Sequence, residues 1–364
     1  MEMKTFALVC LNVILLIFVI YQVRLSGKYD LHPVVNIPPL SANFRPKIPG
    51  PAPSCRPVIP STAESLYAMY GEGNFADDDE HLLSYIRSMM SQQGPGGRNL
   101  SNPSRIDFSQ FGGAQFVDQL LNQRRNGFFV ECGAFGGEDL SDTLFFERER
   151  NWTGILIEAN PEYHREILKK NRRALVLRAC LHPSPGLVKF RLHGWGSAVT
   201  AFHKNVAAVA KTFPETDVQC FSLNSIMVAI GVRHIDFMVL DVEGSELPVL
   251  ESIDWTRLSV DVFNIEYSRQ TPTSTVEKLE KIRDYFKQAG EIKGHRYIEV
   301  GKLPVGAMDD SAQDVVFMRV ISPPFGYQSV PYSHITPMLT PTLTPTLESD
   351  MSSGVTRPDK KRIR

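Results

Sequence analysis

Neither sign of charge dominates this chain: 39 Lys and Arg stand against 40 Asp and Glu, a net charge of −1. That balance leaves no material for a broad basic face and argues against nucleic acid as the main partner. The one basic cluster, Lys360-Lys361-Arg362, lies at the extreme C-terminus and reads as a solvated tail. Cysteine is scarce, with Cys10, Cys55, Cys132, Cys180 and Cys220 the only five in 364 residues. No Cys-x-x-Cys or Cys/His spacing occurs, so no zinc site is expected. His81, His164, His182, His193, His203, His234 and His295 show no metal-ligand spacing and read as surface or satisfied polar residues. No Ser/His/Asp arrangement and no P-loop is evident.

Residues 5–23 form the one nearly continuous apolar run of membrane-crossing length, broken only by Asn12 and Gln22. Its length is near the ~20 residues that cross a bilayer and exceeds the roughly 7 to 15 of a signal-peptide core. No small-residue cleavage pattern follows. An uncleaved single-pass anchor is expected, with a cleaved signal peptide as the alternative. Lys4 on one side and Arg24 and Lys28 on the other leave the orientation open. Two glycosylation triplets, Asn99-Leu100-Ser101 and Asn151-Trp152-Thr153, follow the run. They favour a lumenal C-terminal side, a type II arrangement with residues 1–4 in the cytoplasm. In an oxidising lumen a pair such as Cys180 and Cys220 could bridge, whereas Cys132 reads as a small buried hydrophobe.

Residues 32–60 hold nine prolines and few large apolar side chains. They cannot build a core, and the segment 24–76 is expected to be an extended stalk. Helical spacing follows at 77–92 and 115–125, a helical extension spanning 77–127. From 128 the chain alternates. Apolar strands are expected at 128–132, 155–158, 174–180, 236–241, 260–266 and 314–320, with further strands at 187–193 and 218–221. Helices are expected at 140–150, 162–170, 223–230, 246–252 and 276–289. Such alternation predicts an α/β domain over 128–321, with a mostly parallel sheet covered on both faces. The tail 322–364 repeats Thr-Pro at Thr336-Pro337, Thr340-Pro341 and Thr344-Pro345 and is expected to be disordered and, if lumenal, O-glycosylated.

Two motifs carry chemistry. The first, FFVECGAFGG, ends an apolar strand at Glu131 and turns through Gly133 and Gly137, where absent Cβ atoms permit positive φ and close approach of a ligand. The next strand ends in Glu158, followed by Asn160-Pro161. A carboxylate there can accept two hydrogen bonds from the vicinal diol of a ribose, so a nucleoside cofactor is favoured over an ordinary turn. The second motif, IDFMVLDVEGSE, gathers Asp241, Glu243 and Glu246 at the mouth of the next helix. Crowding carboxylates there is costly unless they bind something, although Glu246 fits equally well as an acid at a helix N-terminus. Trp195, between two glycines, reads as an exposed turn.

The glycine motif, ILIEANPE, DVEGSELPVL and NIEYS together resemble the FkbM family of S-adenosylmethionine-dependent methyltransferases. The wider context, with DDEHLLSYIRSMM, QFVDQLLNQRRNGFFVECGAFGGEDLSDTLFFERERNWTG and VQCFSL behind an anchor, resembles the Star-like group of single-pass membrane proteins. The resemblance covers about residues 77–320. It implies a Rossmann-like class I fold with a seven-stranded sheet and S-adenosylmethionine as cofactor. It further implies that Glu131, Gly133 and Gly137 line the methionine part of that cofactor, that Glu158 holds the ribose, and that Asp241 and Glu243 face the reacting centre, where either would be the base for a hydroxyl acceptor. Many FkbM members carry a lysine shortly before the aspartate, where this sequence has Met238-Val239-Leu240. The Star-like context implies membrane-protein cargo, such as growth-factor precursors, moved from the endoplasmic reticulum through the Golgi and endosomes. The other reading is an active O-methyltransferase of the secretory pathway.

Overall fold

The computed structural model describes residues 75–94, 96–192, 198–199, 214–267, 272–293, 295–303 and 313–320. The expected anchor, nearly all of the stalk, Trp195 and the Thr-Pro tail lie outside the described residues. Among the described residues no helix is long and apolar enough to cross a membrane.

Strand β2 (Phe128–Cys132) lies near the centre of the sheet, with all five residues buried. Successive side chains leave a strand on opposite faces, so Val130 and Cys132 enter one apolar cluster and Phe129 the other. Parallel pairing joins β2 to β3 (Thr153–Ile157) and β3 to β4 (Leu175–Leu177) on one side. On the other side it joins β2 to β9 (His234–Leu240) and β9 to β10 (Ser259–Glu266). The chain therefore reverses direction across the sheet between β2 and β9, and α/β sheets open a crevice at the carboxyl ends of such a pair.

One layer beside this sheet contains α1 (Glu80–Met89), α5 (Leu223–Ile230), α6 (Glu246–Glu251) and α7 (Pro272–Lys293). The other contains α2 (Gly113–Leu120), α3 (Leu144–Glu149) and α4 (Pro161–Lys170). Helix starts follow side-chain caps: Asp79 accepts from the amides of His81 and Leu82, Asn160 from Glu162 before Pro161 opens α4, and Ser222 from Ser225. Two helices are shorter than their sequence spacing predicts. Left-handed Asn122 and Gln123 stop α2, and left-handed Leu140 delays α3.

The sheet corrects the mostly parallel, seven-stranded expectation: among the described residues it is mixed and has eight strands, in the order β1 (Met90–Ser91), β4, β3, β2, β9, β10, β12 (Asp314–Val320), β11 (Arg296–Leu303). Strand β1 lies antiparallel beside β4, and β12 lies antiparallel between β10 and β11. A direct return from β11 to β12 gives antiparallel pairing, because a parallel pair needs a longer crossover. Strand β11, RYIEVGKL, fully buries only Tyr297 and Leu303, so it lacks the apolar run that marks the central strands.

A separate sheet takes the order β5-β8-β6-β7, from Cys180–Leu181, Glu215–Phe221, Gly186–Arg191 and Ala198–Val199. Cys180 and Cys220 stand in register on β5 and β8, their Cα atoms 4.4 Å apart, and are joined by a disulfide. Cys132 is a buried free thiol, pushed well up by burial and then by the Glu131 charge.

The amino edge of the main sheet is laced by charge. Arg124 reaches Asp236 at 2.5 Å and Asp261 at 2.8 Å, and Arg319 reaches Asp261 at 2.7 Å. The second Asp236 oxygen accepts the Phe128 amide at 2.7 Å.

Candidate functional site

The glycine turn leaves β2 at the crevice. Gly133 is exposed, has φ +78°, and donates its amide to the Ile157 carbonyl at 3.0 Å. A Cβ there would collide with the carbonyl of Asp241, so only glycine lets the two strand ends approach this closely. The Asp241 amide in turn donates to the Cys132 carbonyl at 3.2 Å. Phe135, inside the turn, is also left-handed at φ +48° and donates its amide to Glu158 Oε2 at 2.9 Å. Glu158 Oε1 accepts the Asn160 amide at 2.7 Å. Burial pushes the Glu158 carboxyl up to about 7 despite these bonds. Gly133, Asp241 and Glu158 thus surround one turn.

The other two residues of the motif work inside it. Glu131 is buried and accepts from Ser141 Oγ at 3.0 Å, the Asp142 amide at 2.9 Å and Thr143 Oγ1 at 2.5 Å, so its carboxylate holds the 141–143 loop. Gly137, at φ +73°, faces Ile167. Its carbonyl accepts from Arg172 Nη1 at 3.0 Å. Arg172 is wholly enclosed, bonds Ser141 and Thr143, and pairs with Glu147 at 3.2 Å. Nothing in the run Arg172-Arg173 marks the first as internal.

Carboxylates gather where β9, β10 and β12 meet. Asp241, Glu246 and Glu266 each place one oxygen within 4.8 Å of the others. That spacing suits a divalent cation, but Lys278 Nζ lies 2.9 Å from Glu246 Oε2 and 3.2 Å from Glu266 Oε2 and brings positive charge there. Burial, then the charges of Glu266 and Glu243, raise the Asp241 carboxyl well above the usual range. Burial also lifts Asp314 to about 6. Asn264 Nδ2 links Asp314 Oδ2, at 3.4 Å, to Asp142 Oδ2, at 2.9 Å. Burial and the charges of Asp314 and Glu131 hold Asp142 well up as well. Glu243 sits beside Asp241 in a left-handed turn, φ +52°.

Asn99 and Asn151 are both exposed and stand apart from this group, Asn99 against the end of α4 and Asn151 just before β3. Sequence reasoning missed Asp142, Asn264, Lys278 and Asp314. Glu266, at the strand end in NIEYS, carried the one local signal, an acid closing an apolar run.

Among solved structures the chain is similar to a methyltransferase FkbM from Methylobacillus flagellatus, with 15% identity and a TM-score of 0.36, covering 57% of this chain and 48% of that one. This chain therefore spans about half the length of that protein. It is also similar to an O-methyltransferase from Bacillus cereus in complex with SAH, with 12% identity and a TM-score of 0.33, covering 61% and 86%. A putative methyltransferase from Streptococcus mutans, also in complex with SAH, shows 11% identity and a TM-score of 0.31 over 57% and 97%. No curated protein matches the chain. Residues 131–293, from Glu131 in the glycine motif to the end of α7, match the model of the methyltransferase FkbM domain, so the chain carries an FkbM methyltransferase domain.

Proposed function

We propose that the carboxyl edge of the sheet binds S-adenosylmethionine and that Asp241 receives the proton of a hydroxyl acceptor. The observation that carries this reading is the approach of the Gly133 turn to Asp241 at the point where strand order reverses. The residues fit such a cofactor. Gly133, with no Cβ, lets the turn lie directly against the Asp241 carbonyl and so brings the two strand ends together at the crevice. Glu158 accepts the amides of Phe135, Ala159 and Asn160, and of the roughly four lone-pair sites of a carboxylate one is left for a ribose hydroxyl. The cofactor supplies a methyl group activated by sulfonium. The chain supplies position, through Gly133 and Glu158, and a proton acceptor in Asp241, whose proton affinity burial and the neighbouring Glu266 and Glu243 charges raise above that of an ordinary carboxylate. Glu131, Arg172 and Gly137 keep the turn in shape. Calorimetry on the full chain is expected to show saturable S-adenosylmethionine binding, with Glu158→Ala weakening it by about tenfold or more, the loss of a charge-assisted hydrogen bond. A wild-type chain without saturable binding sinks the proposal.

A second reading gives the same domain a cargo role in the early secretory pathway, tethered by residues 5–23 and facing the lumen. The exposed Asn99 and Asn151 and the Cys180–Cys220 bridge support it, because glycans and disulfides belong to that compartment. Normal cargo export by Glu158→Ala would separate trafficking from cofactor binding.

A further inference from the structure

The turn that bears Asp241 and Glu243 adopts a backbone that needs support from outside itself. Glu243, at φ +52°, and Gly244, at φ +115°, are both left-handed. A non-glycine residue in that region persists where its surroundings over-determine it. Glu246, the first residue of α6, provides part of that support. It is fully buried, and it reaches back so that Oε1 accepts from the Val242 amide at 3.3 Å and the Gly244 amide at 3.0 Å, while Oε2 accepts from Gly244 at 3.0 Å. A carboxylate so enclosed needs a counter-charge to remain an acceptor at both oxygens.

The strand before the turn offers none, since Met238, Val239 and Leu240 are apolar. Lys278 brings the charge from α7. Its Nζ lies 2.9 Å from Glu246 Oε2 and 3.2 Å from Glu266 Oε2, and Glu266 has an oxygen within 4.8 Å of the Asp241 carboxylate. One ammonium therefore ties the back of the turn to the end of β10, on which Asp241 borders.

We propose that Lys278 is a positioning residue: acting through Glu246 and Glu266, it fixes the 241–244 turn so that Asp241 faces a ligand at the Gly133 turn. The proposal rests on the cofactor reading above, and its test is arranged so that the two fail separately. The first arm uses no ligand. Amide hydrogen exchange at Val242 and Gly244 is measured in the full chain for wild type, Lys278→Met and Lys278→Arg. Exchange at those two amides should accelerate about tenfold or more in Lys278→Met, with α5 unchanged, because the buried Glu246 carboxylate loses the Lys278 charge that faces it. Lys278→Arg, which keeps the charge, should return it to within about threefold. Unchanged exchange in Lys278→Met overturns the proposal.

The second arm is S-adenosylmethionine calorimetry on the same proteins. A wild type that binds and a Lys278→Met that binds equally well also overturn it, whatever the amides do. A wild type that does not bind removes the cofactor reading and leaves the exchange arm to decide whether Lys278 holds the turn. If Lys278→Met does not fold, the double variant Glu246→Gln/Lys278→Met, with both charges gone, takes its place. It should fold and show the same two fast amides, and slow amides there would overturn the proposal.

Discussion

At the amino edge of the sheet, Asp236 and Asp261 sit between Arg124, Arg319 and His234, with His234 Nε2 3.3 Å from Asp261. At the carboxyl edge, Asp241, Glu266, Asp314 and Asp142 crowd one another, and Lys278 is the cation that the described residues place among them. Burial alone would push all of these carboxyls upward. At the amino edge His234, Arg124 and Arg319 outweigh it, and Asp261 is held well below the usual carboxylate range. At the carboxyl edge like charge adds to burial, and Asp241 and Asp142 stay high. The amino edge spends its acids on joining strands. The carboxyl edge keeps Glu158 pushed up to about 7 and Asp314 to about 6, and a sheet offers its crevice to ligands at that end.

The comparison breaks most severely at Arg124. Arg124→Met strips two buried aspartates of a shared partner and is expected to cost about 3–5 kcal/mol in urea denaturation. A loss under about 1 kcal/mol, as for an exposed ion pair, would show that the amino edge is not held this way.

Changing pH separates the two edges next. Glu158 moves from an ordinary 4.5 to about 7 on folding, so the folded state holds its proton more tightly. Its stabilisation is complete below about pH 4.5 and is lost as pH rises through about 7, up to about 3 kcal/mol. His234 is drawn down by burial but raised more by Asp236 and Asp261, from 6.5 to about 9. Its contribution is complete below about pH 6.5 and is lost through about 9. In denaturation midpoints across pH, the loss that runs to about pH 7 should vanish in Glu158→Gln, with that of Asp314, which runs to about pH 6, remaining, and the upper limb should vanish in His234→Gln. A loss that still runs to about pH 7 in Glu158→Gln belongs to another group.

The last test concerns the carboxyl side alone and is read in binding. Gly133→Ala adds left-handed strain of about 1–3 kcal/mol to an overlap of its Cβ with the Asp241 carbonyl, and should lose S-adenosylmethionine binding. Gly186→Ala, which meets nothing within 4 Å, is the control. Equal behaviour of the two would remove Gly133 from the site.

Much of the central sheet was legible because its strands are buried on both faces and read as apolar runs, 128–132 and 236–241 above all. Their acidic ends then located Gly133, Glu158 and Asp241 at one edge. Strand β11 escaped because Arg296, Glu299 and Lys302, every third residue, break up both an apolar run and a strict alternation. Lys278 and Asp314 escaped for a different reason. They join Glu246, Glu266 and Asn264 only after α7 and β12 have packed, and no local pattern encodes a contact made across that much chain. Glu131 was legible as a position and not as a role, since its partners Ser141 and Thr143 emerge only when Leu140 turns left-handed.

Trp152 stands in the middle of the triplet Asn151-Trp152-Thr153. It is among the largest fully buried side chains, its ring 4.6 Å from that of Phe146 and its Nε1 donating to the Arg124 carbonyl at 2.7 Å. Thr153 already belongs to β3. An enzyme that must grip all three residues cannot do so once the tryptophan is seated. Any sugar on Asn151 would therefore have to be attached to a nascent chain, ahead of β3 docking on β2.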